Sequence, residues 1–340
     1  MSSSSALVAD ASPTAVVACG CWSFAAADAE ISLRQPVFAP LDEFGVIRVE
    51  GDDAARFLHG QLTGNVEQLR GDRVELGGYC TAKGRLLATF RVWRDDAAIF
   101  LLLPREILPG VLKRLSMFVL RAKAKLVDAS GDWRVAAVFG KDAAEALRHR
   151  GIEAPAAACD RIDRGTLCVA RLHPGSHVAE RFLLLARADA DLETFSALPA
   201  VSSGAFWGTE IDAGVPTVFA ATQEKFVPQM INFEVIGGVS FSKGCYPGQE
   251  VVARSQYRGK LKRRMHRARA VAAAAAGADV FAADEFEPVG TIVLAATAAH
   301  GGFDLLLEVP LDKAEGPLRL ADGTRLTLRA LPYSIIDVTA

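Results

Sequence analysis

The stretch at 243–250 reads Lys-Gly-Cys-Tyr-Pro-Gly-Gln-Glu and gathers the residue types that can make a reactive thiol. A cysteine between Gly244 and Gly248 is open to close approach by a backbone or a ligand. Lys243, two positions from Cys245, favours the thiolate, which is the nucleophilic and metal-ligating form. If Pro247 opens a helix running through Gln249 and Glu250 to Ala253, the cysteine lies beside a positive helix end, which favours the thiolate further. The competing reading is a small hydrophobe buried in a core, the commonest setting of a free cysteine.

Other candidate chemistry is sparser. The six cysteines, at 19, 21, 80, 159, 168 and 245, form no CxxC pair and no paired zinc-ligand spacing, which suits a reducing compartment. Cys19 and Cys21 read as incidental residues of a tail. His173 and His177 are four apart, a metal-binding spacing on a helix, but Pro174 and Gly175 between them make the segment a hairpin loop and no carboxylates cluster around it. No metal site is expected. His59 falls near the apolar face of a short helix and reads as structural. Between 251 and 270 eight basic residues, from Arg254 and Arg258 to Arg269, occur with no acid. They could meet a polyanionic tail or RNA phosphates, or be a face paired with acids from elsewhere. Only Tyr257 is there to stack on a base.

These residues need a scaffold, and the chain is long enough to build several cores. At 340 residues two or three domains are the prior, and the 51% hydrophobic content supports folding throughout. With 38 basic against 40 acidic residues, the whole molecule is neither a polyanion binder nor an acidic solubiliser. The Ser/Ala-rich start has no Lys or Arg before Arg34, so it lacks the charged region of a secretory signal and reads as a loose extension over 1–36. No apolar run approaches the roughly 20 residues that span a bilayer, so a cytoplasmic protein with no membrane contact is expected.

Along the chain, 45–49 alternates like a strand. A short helix follows from an N-cap at Asp52 through Phe57, Leu58 and Leu62. Strands at 78–81, 86–93 and 98–103 form an antiparallel sheet, the first two joined by a tight turn at Gly84. Helical spacing recurs over 105–120, with Pro109 and Gly110 spoiling its first turn. Strands at 124–127, 133–139, 167–171 and 182–186, with helices over 141–150 and 189–198, suggest a ferredoxin-like unit at 126–202. Another helix is expected over 204–215, carrying Asp212 and ended by Gly214 and Pro216. After it, 265–340 reads as an all-β domain with a hairpin at Asp322-Gly323.

The octapeptide with Lys243 and Cys245 resembles the signature of the YgfZ family, folate-binding relatives of the T-protein (aminomethyltransferase) of the glycine cleavage system. The likeness extends to Phe57-Leu58-His59-Gly60-Gln61-Leu62-Thr63, Cys80-Thr81-Ala82-Lys83-Gly84-Arg85, Phe226-Val227-Pro228-Gln229, and Val252-Ala253-Arg254 with Arg258-Gly259 and Lys262-Arg263. The resemblance implies an α+β, three-domain T-protein-like architecture. A discontinuous folate-binding domain at 37–125 plus 203–264 would hold the ferredoxin-like insert, followed by a C-terminal β-barrel-like domain at 265–340. It implies tetrahydrofolate or a one-carbon derivative as cofactor, and a role in maintaining iron–sulfur client proteins, including enzymes that modify tRNA.

Residue by residue, the resemblance makes Cys245 the reactive thiol and Lys243 its electrostatic partner. Asp212, before Ala213-Gly214, corresponds to a pterin-binding glutamate, and Tyr246, Gln249, Arg254 and Arg258 shape the folate site. One departure matters. The T-protein carries an aspartate on a hairpin resembling 83–92, near the reacting folate nitrogen, where this chain has Leu87 or Ala88, which can neither accept a proton nor stabilise a cation. Ordinary aminomethyl transfer is therefore not expected. The alternatives are a folate-dependent one-carbon transferase with Cys245 as nucleophile and an RNA-binding module using the basic stretch at 254–269.

Overall fold

A computed structural model of the chain describes residues 16–17, 21–22, 25–257 and 261–335. Its helices include α1 (Ala26–Ser32), α2 (Ala54–His59), α3 (Leu108–Met117), α4 (Ala143–Arg148), α5 (Ser203–Asp212) and α6 (Gln249–Tyr257), set among three sheets.

The first sheet is antiparallel, in the order Glu75–Cys80, Leu86–Arg94, Ala98–Pro104, Phe44–Glu50, Lys125–Asp128. Both faces are covered, which explains the near-continuous apolar run at 98–103. Ile99, Leu101 and Leu103 pack with α2 and α3, while Phe100 and Leu102 face the larger core that includes Phe206 and Trp207 of α5. Pro109 does not break α3: it stands in the first turn, where its missing N–H has no intrahelical partner to lose. The N-cap of α2 is Asp53 rather than Asp52, and its carboxylate accepts from the N–H of Lys123 (2.8 Å) instead of capping the helix.

The second sheet runs Arg161–Arg164, Leu167–Arg171, Arg181–Arg187, Trp133–Phe139, Val37–Pro40. Two strands lie across the boundaries expected from sequence. Val37–Pro40 pairs with Trp133–Phe139, and Lys125–Asp128 pairs with Phe44–Glu50, so each sheet finishes with a strand from a segment assigned to its neighbour. The helix expected over 189–198 is a single 3-10 turn, Glu193–Phe195. Asp191 accepts from the N–H of Glu193 (2.7 Å), a local hydrogen bond that competes with helix propagation.

The C-terminal region closes into a six-stranded barrel. Its order is Pro288–Thr297, Asp279–Ala282, Leu318–Arg319, Arg325–Arg329, Arg263–Ala270, Phe303–Pro310, and the last strand pairs back with the first. Closure leaves little open edge. At the expected Asp322-Gly323 turn, Gly323 has φ +88° and Asp322 Oδ1 accepts from the N–H of Thr324 (2.8 Å).

The segment read as a loose extension is structured where it is described. Cys21–Trp22 pairs in parallel with Ala295 and Ala296. In α1, Ala29 and Ile31 pack on the core, and Asp28 accepts from the N–H of Ser202 at the start of α5 (3.0 Å). Cys19 lies outside the described residues. Among the described residues no helix is long and apolar enough to cross a membrane.

Candidate functional site

The cysteine loop is held at its entrance, its middle and its exit. At the entrance, Thr63 Oγ1 donates to the carbonyl of Gly238 (2.6 Å), and the N–H of Ser240 donates to the carbonyl of Thr63 (2.9 Å). In the middle, Lys243 is 8% exposed and its ammonium donates to the carbonyls of His59, at the end of α2, and Leu62, in the turn that follows it (2.5 Å to Leu62). The same Nζ lies 4.9 Å from the ring centroid of buried Tyr246. Burial pushes the Lys243 pKa down to about 8, against the opposing pull of Glu67 and Cys245. Lys243 is thus first an anchor joining the loop to α2, and only second a charge near the thiol.

At the exit, Gly248 has φ +81°, and a Cβ there would stand 2.4 Å from the carbonyl oxygen of Thr81 and 2.6 Å from Cα of Gly84. Gly84, at the turn between the first two strands of the first sheet, has φ +72°, so two glycine backbones meet where side chains cannot. This conformation delays α6: it begins at Gln249, not at Pro247 as expected, because a residue at positive φ cannot be in a right-handed helix. Gln249 Oε1 accepts from the N–H of Tyr246 (3.3 Å) and ties the turn together. Between these clamps Gly244 and Cys245 are exposed. The core reading of the cysteine does not hold. Among the described residues Cys80 and Cys168 are the buried thiols, with pKa values pushed up by desolvation, Cys80 to about 12.

Asp212 lies elsewhere, at the end of α5, where it lines a cavity of about 260 Å³ between α1, α5, the loop at 173–178 and the barrel wall. None of residues 243–250 lines that cavity. Cys245 and Asp212 are therefore not lining residues of one cavity. His173 and His177 do stand in the expected hairpin loop, joining two antiparallel strands. Gly175 in that loop is forced, since a Cβ would come within 2.2 Å of Asp212 Oδ2. Asp212 Oδ1 meets His177 Nδ1 (2.7 Å) and Arg267 Nη1 (2.9 Å), while Oδ2 accepts from the N–H groups of His177 (2.8 Å) and Val178 (3.0 Å). Desolvation would raise its pKa, but these partners hold it below the usual carboxylate value.

No family model matches the chain. Curated relatives do. The tRNA-modifying protein YgfZ of Edwardsiella ictaluri (strain 93-146) is 33% identical over 310 residues, covering 86% of this chain and 91% of the relative. That of Klebsiella pneumoniae (strain 342) is 30% identical over 320 residues, covering 90% and 96%. The chain belongs to the YgfZ family. Among solved structures, the glycine cleavage system aminomethyltransferase T from Bartonella henselae matches with TM-score 0.73 over 91% of this chain and 89% of that one, at 15% identity. The three-domain α+β architecture expected from sequence is thus the aminomethyltransferase fold.

On this YgfZ-family frame, the hairpin positions where the resemblance puts the T-protein aspartate are apolar and buried: Leu87 is 7% exposed and Ala88 0%. The basic stretch is less free than its sequence suggests. Arg263 pairs with Glu308, Arg264 with Glu234 (2.5 Å), Arg267 with Asp212, and Arg269 donates to the carbonyls of His300 and Gly301 (3.1 and 2.7 Å). Arg254 is exposed on α6, and Arg258 lies outside the described residues. Sequence reasoning missed a buried ion cluster on the other side of α5, where Glu210 meets Arg91 (2.5 Å) and Arg181. Burial alone would raise the Glu210 pKa, but the two guanidiniums hold it low. The only local signal was an acid two residues before Asp212, which helical spacing puts on a different face. Among the described residues no group of three or more His, Cys, Asp or Glu is arranged to hold a metal ion.

Proposed function

We propose that this chain is a tetrahydrofolate-binding accessory protein that maintains iron–sulfur proteins of the cytoplasm, tRNA-modifying enzymes among its clients. The observation that carries the reading is the exposed Cys245 on a loop clamped at both ends, in a fold whose hairpin offers Leu87 and Ala88 where transfer chemistry needs an acid. A thiol held open in this way suits contact with another protein's cluster or sulfur more than attack on a small molecule in a pocket.

The residues present fit a folate. A pterin needs a carboxylate acceptor and its glutamate tail needs cations, and the cavity beside α5 is lined by Asp212 and Asp304 together with Arg267, Arg269 and Arg329. Its volume suits the ring, with the tail leaving by the mouth. Bound tetrahydrofolate would supply one-carbon chemistry. The protein would bind it and orient it, and the exposed thiol would meet a client. Cys245 is not among the residues lining that cavity, which disfavours a transferase in which Cys245 attacks a folate carbon. The pairing of Arg263, Arg264 and Arg267 with acids likewise disfavours an RNA platform built on that strand.

The test is calorimetric titration of reduced folates into the wild type, together with alkylation of Cys245 and complementation of an iron–sulfur-dependent tRNA modification by Cys245→Ala. Folate binding, a thiol that alkylates in the folded protein and loss of complementation are expected. No folate binding together with full complementation by Cys245→Ala would sink the reading.

A further inference from the structure

Asp212 is the acid that the resemblance assigns to the pterin, yet its carboxylate is already engaged by the protein. A carboxylate offers about four lone-pair directions. Three hydrogen bonds occupy most of them, from the His177 ring and the two backbone N–H groups, and the Arg267 guanidinium stands 2.9 Å from Oδ1 as an ion pair. A ligand amino group at Asp212 would compete with these partners.

A second carboxyl lines the same cavity from the barrel side. Asp304 belongs to the strand Phe303–Pro310, in register with Arg269 on one neighbouring strand and Ala296 on the other. It is partly buried, and among the described residues its carboxylate has neither hydrogen bond nor ion pair. Desolvation raises its pKa, the charges of Arg267 and Arg269 lower it, Asp212 raises it and His177 lowers it. Asp304 is thus surrounded by the charges of the cavity while its acceptor directions stay open.

We propose that Asp304 is the carboxylate that reads the ligand, accepting from the 2-amino group and the adjacent ring N–H of the pterin, while Asp212 acts as a positioning residue that ties His177 to Arg267 of the adjoining barrel strand. The assignment rests on the folate reading above. It also gives Arg269 and Arg329 a role, because both line the cavity and can meet the glutamate carboxylates of the tail.

The experiment measures binding of 5-formyltetrahydrofolate and of its 2-desamino analogue to the full chain, wild type and Asp304→Asn, with thermal melts of both proteins. The wild type should prefer the amino-bearing ligand by about tenfold or more, because an analogue lacking the donor leaves a buried acceptor unpaired. Asp304→Asn should lose most of that preference and keep its melting temperature. Equal binding of the two ligands by the wild type overturns the assignment without any mutation, and so does a preference unchanged in Asp304→Asn. In both cases the folate reading stands. Failure of the wild type to bind either ligand overturns that reading, and the assignment with it.

Discussion

Replacing Lys243 by methionine separates the anchoring role of this lysine from the electrostatic one. Methionine keeps an unbranched apolar stem, so the area buried by the side chain changes little. What is lost is the ammonium that satisfies the carbonyls of His59 and Leu62. A buried acceptor left without a donor costs about 1–3 kcal/mol, so two cost about 2–6. Part of this is returned, because the ammonium is itself held in an unfavourable setting, with its pKa down to about 8. A net loss of about 2–3 kcal/mol is expected, concentrated where α2 meets the loop. Amide exchange at 244–248 reads it directly, since 2 kcal/mol of local stability corresponds to about 30-fold faster exchange. Cys245 is already exposed, so its alkylation rate should stay within about twofold. The reverse pattern, unchanged exchange with alkylation slowed tenfold or more at the same pH, would refute anchoring and make Lys243 an activator of the thiol.

Other substitutions probe the frame. Gly248→Ala should shift the cysteine loop and cost about 1–3 kcal/mol from positive φ alone, besides the clash with Thr81 and Gly84; Gly244→Ala, whose nearest neighbour beyond the adjoining residues is His59 at 3.5 Å, should be tolerated, and denaturant midpoints of the pair check this. Glu210→Gln leaves Arg91 and fully buried Arg181 without their counter-charge and should destabilise by about 3–5 kcal/mol in urea melts. His173 gives a pH signature. Burial, then Arg91 and Arg181, lower its pKa to about 4 from 6.5, while Glu210 and a hydrogen bond from its ring to the Ile236 backbone oppose them. The unfolded chain therefore takes up its proton first as pH falls, so this contribution to stability is complete above 6.5 and lost on the way down to about 4. His173→Gln should flatten the slope of melting temperature against pH between 6.5 and 4.

The parts of this protein that could be read from sequence are those written in local patterns. The apolar alternation of 98–103 and the spacing of Val111 and Leu115 in α3 report burial, and burial needs no knowledge of the partner. Gly84 and Gly248 were legible as permissive positions, but their reason for existing is their contact with each other, across 164 residues of sequence, and no local pattern encodes that. The same limit explains the edge strands. Val37–Pro40 looks like any short strand, and its sheet is decided by which neighbour offers an unpaired edge. Asp212 shows the limit at the level of chemistry. Its position beside Ala213-Gly214 marks an acid at the end of a helix facing a cavity, as the structure has it. Whether that acid is free to bind depends on His177 and Val178 from one strand connection and Arg267 from the barrel. With those partners on Asp212, the carboxyl on the cavity wall that has no hydrogen bond among the described residues is Asp304, in an otherwise apolar strand that the closing of the barrel brings to the cavity.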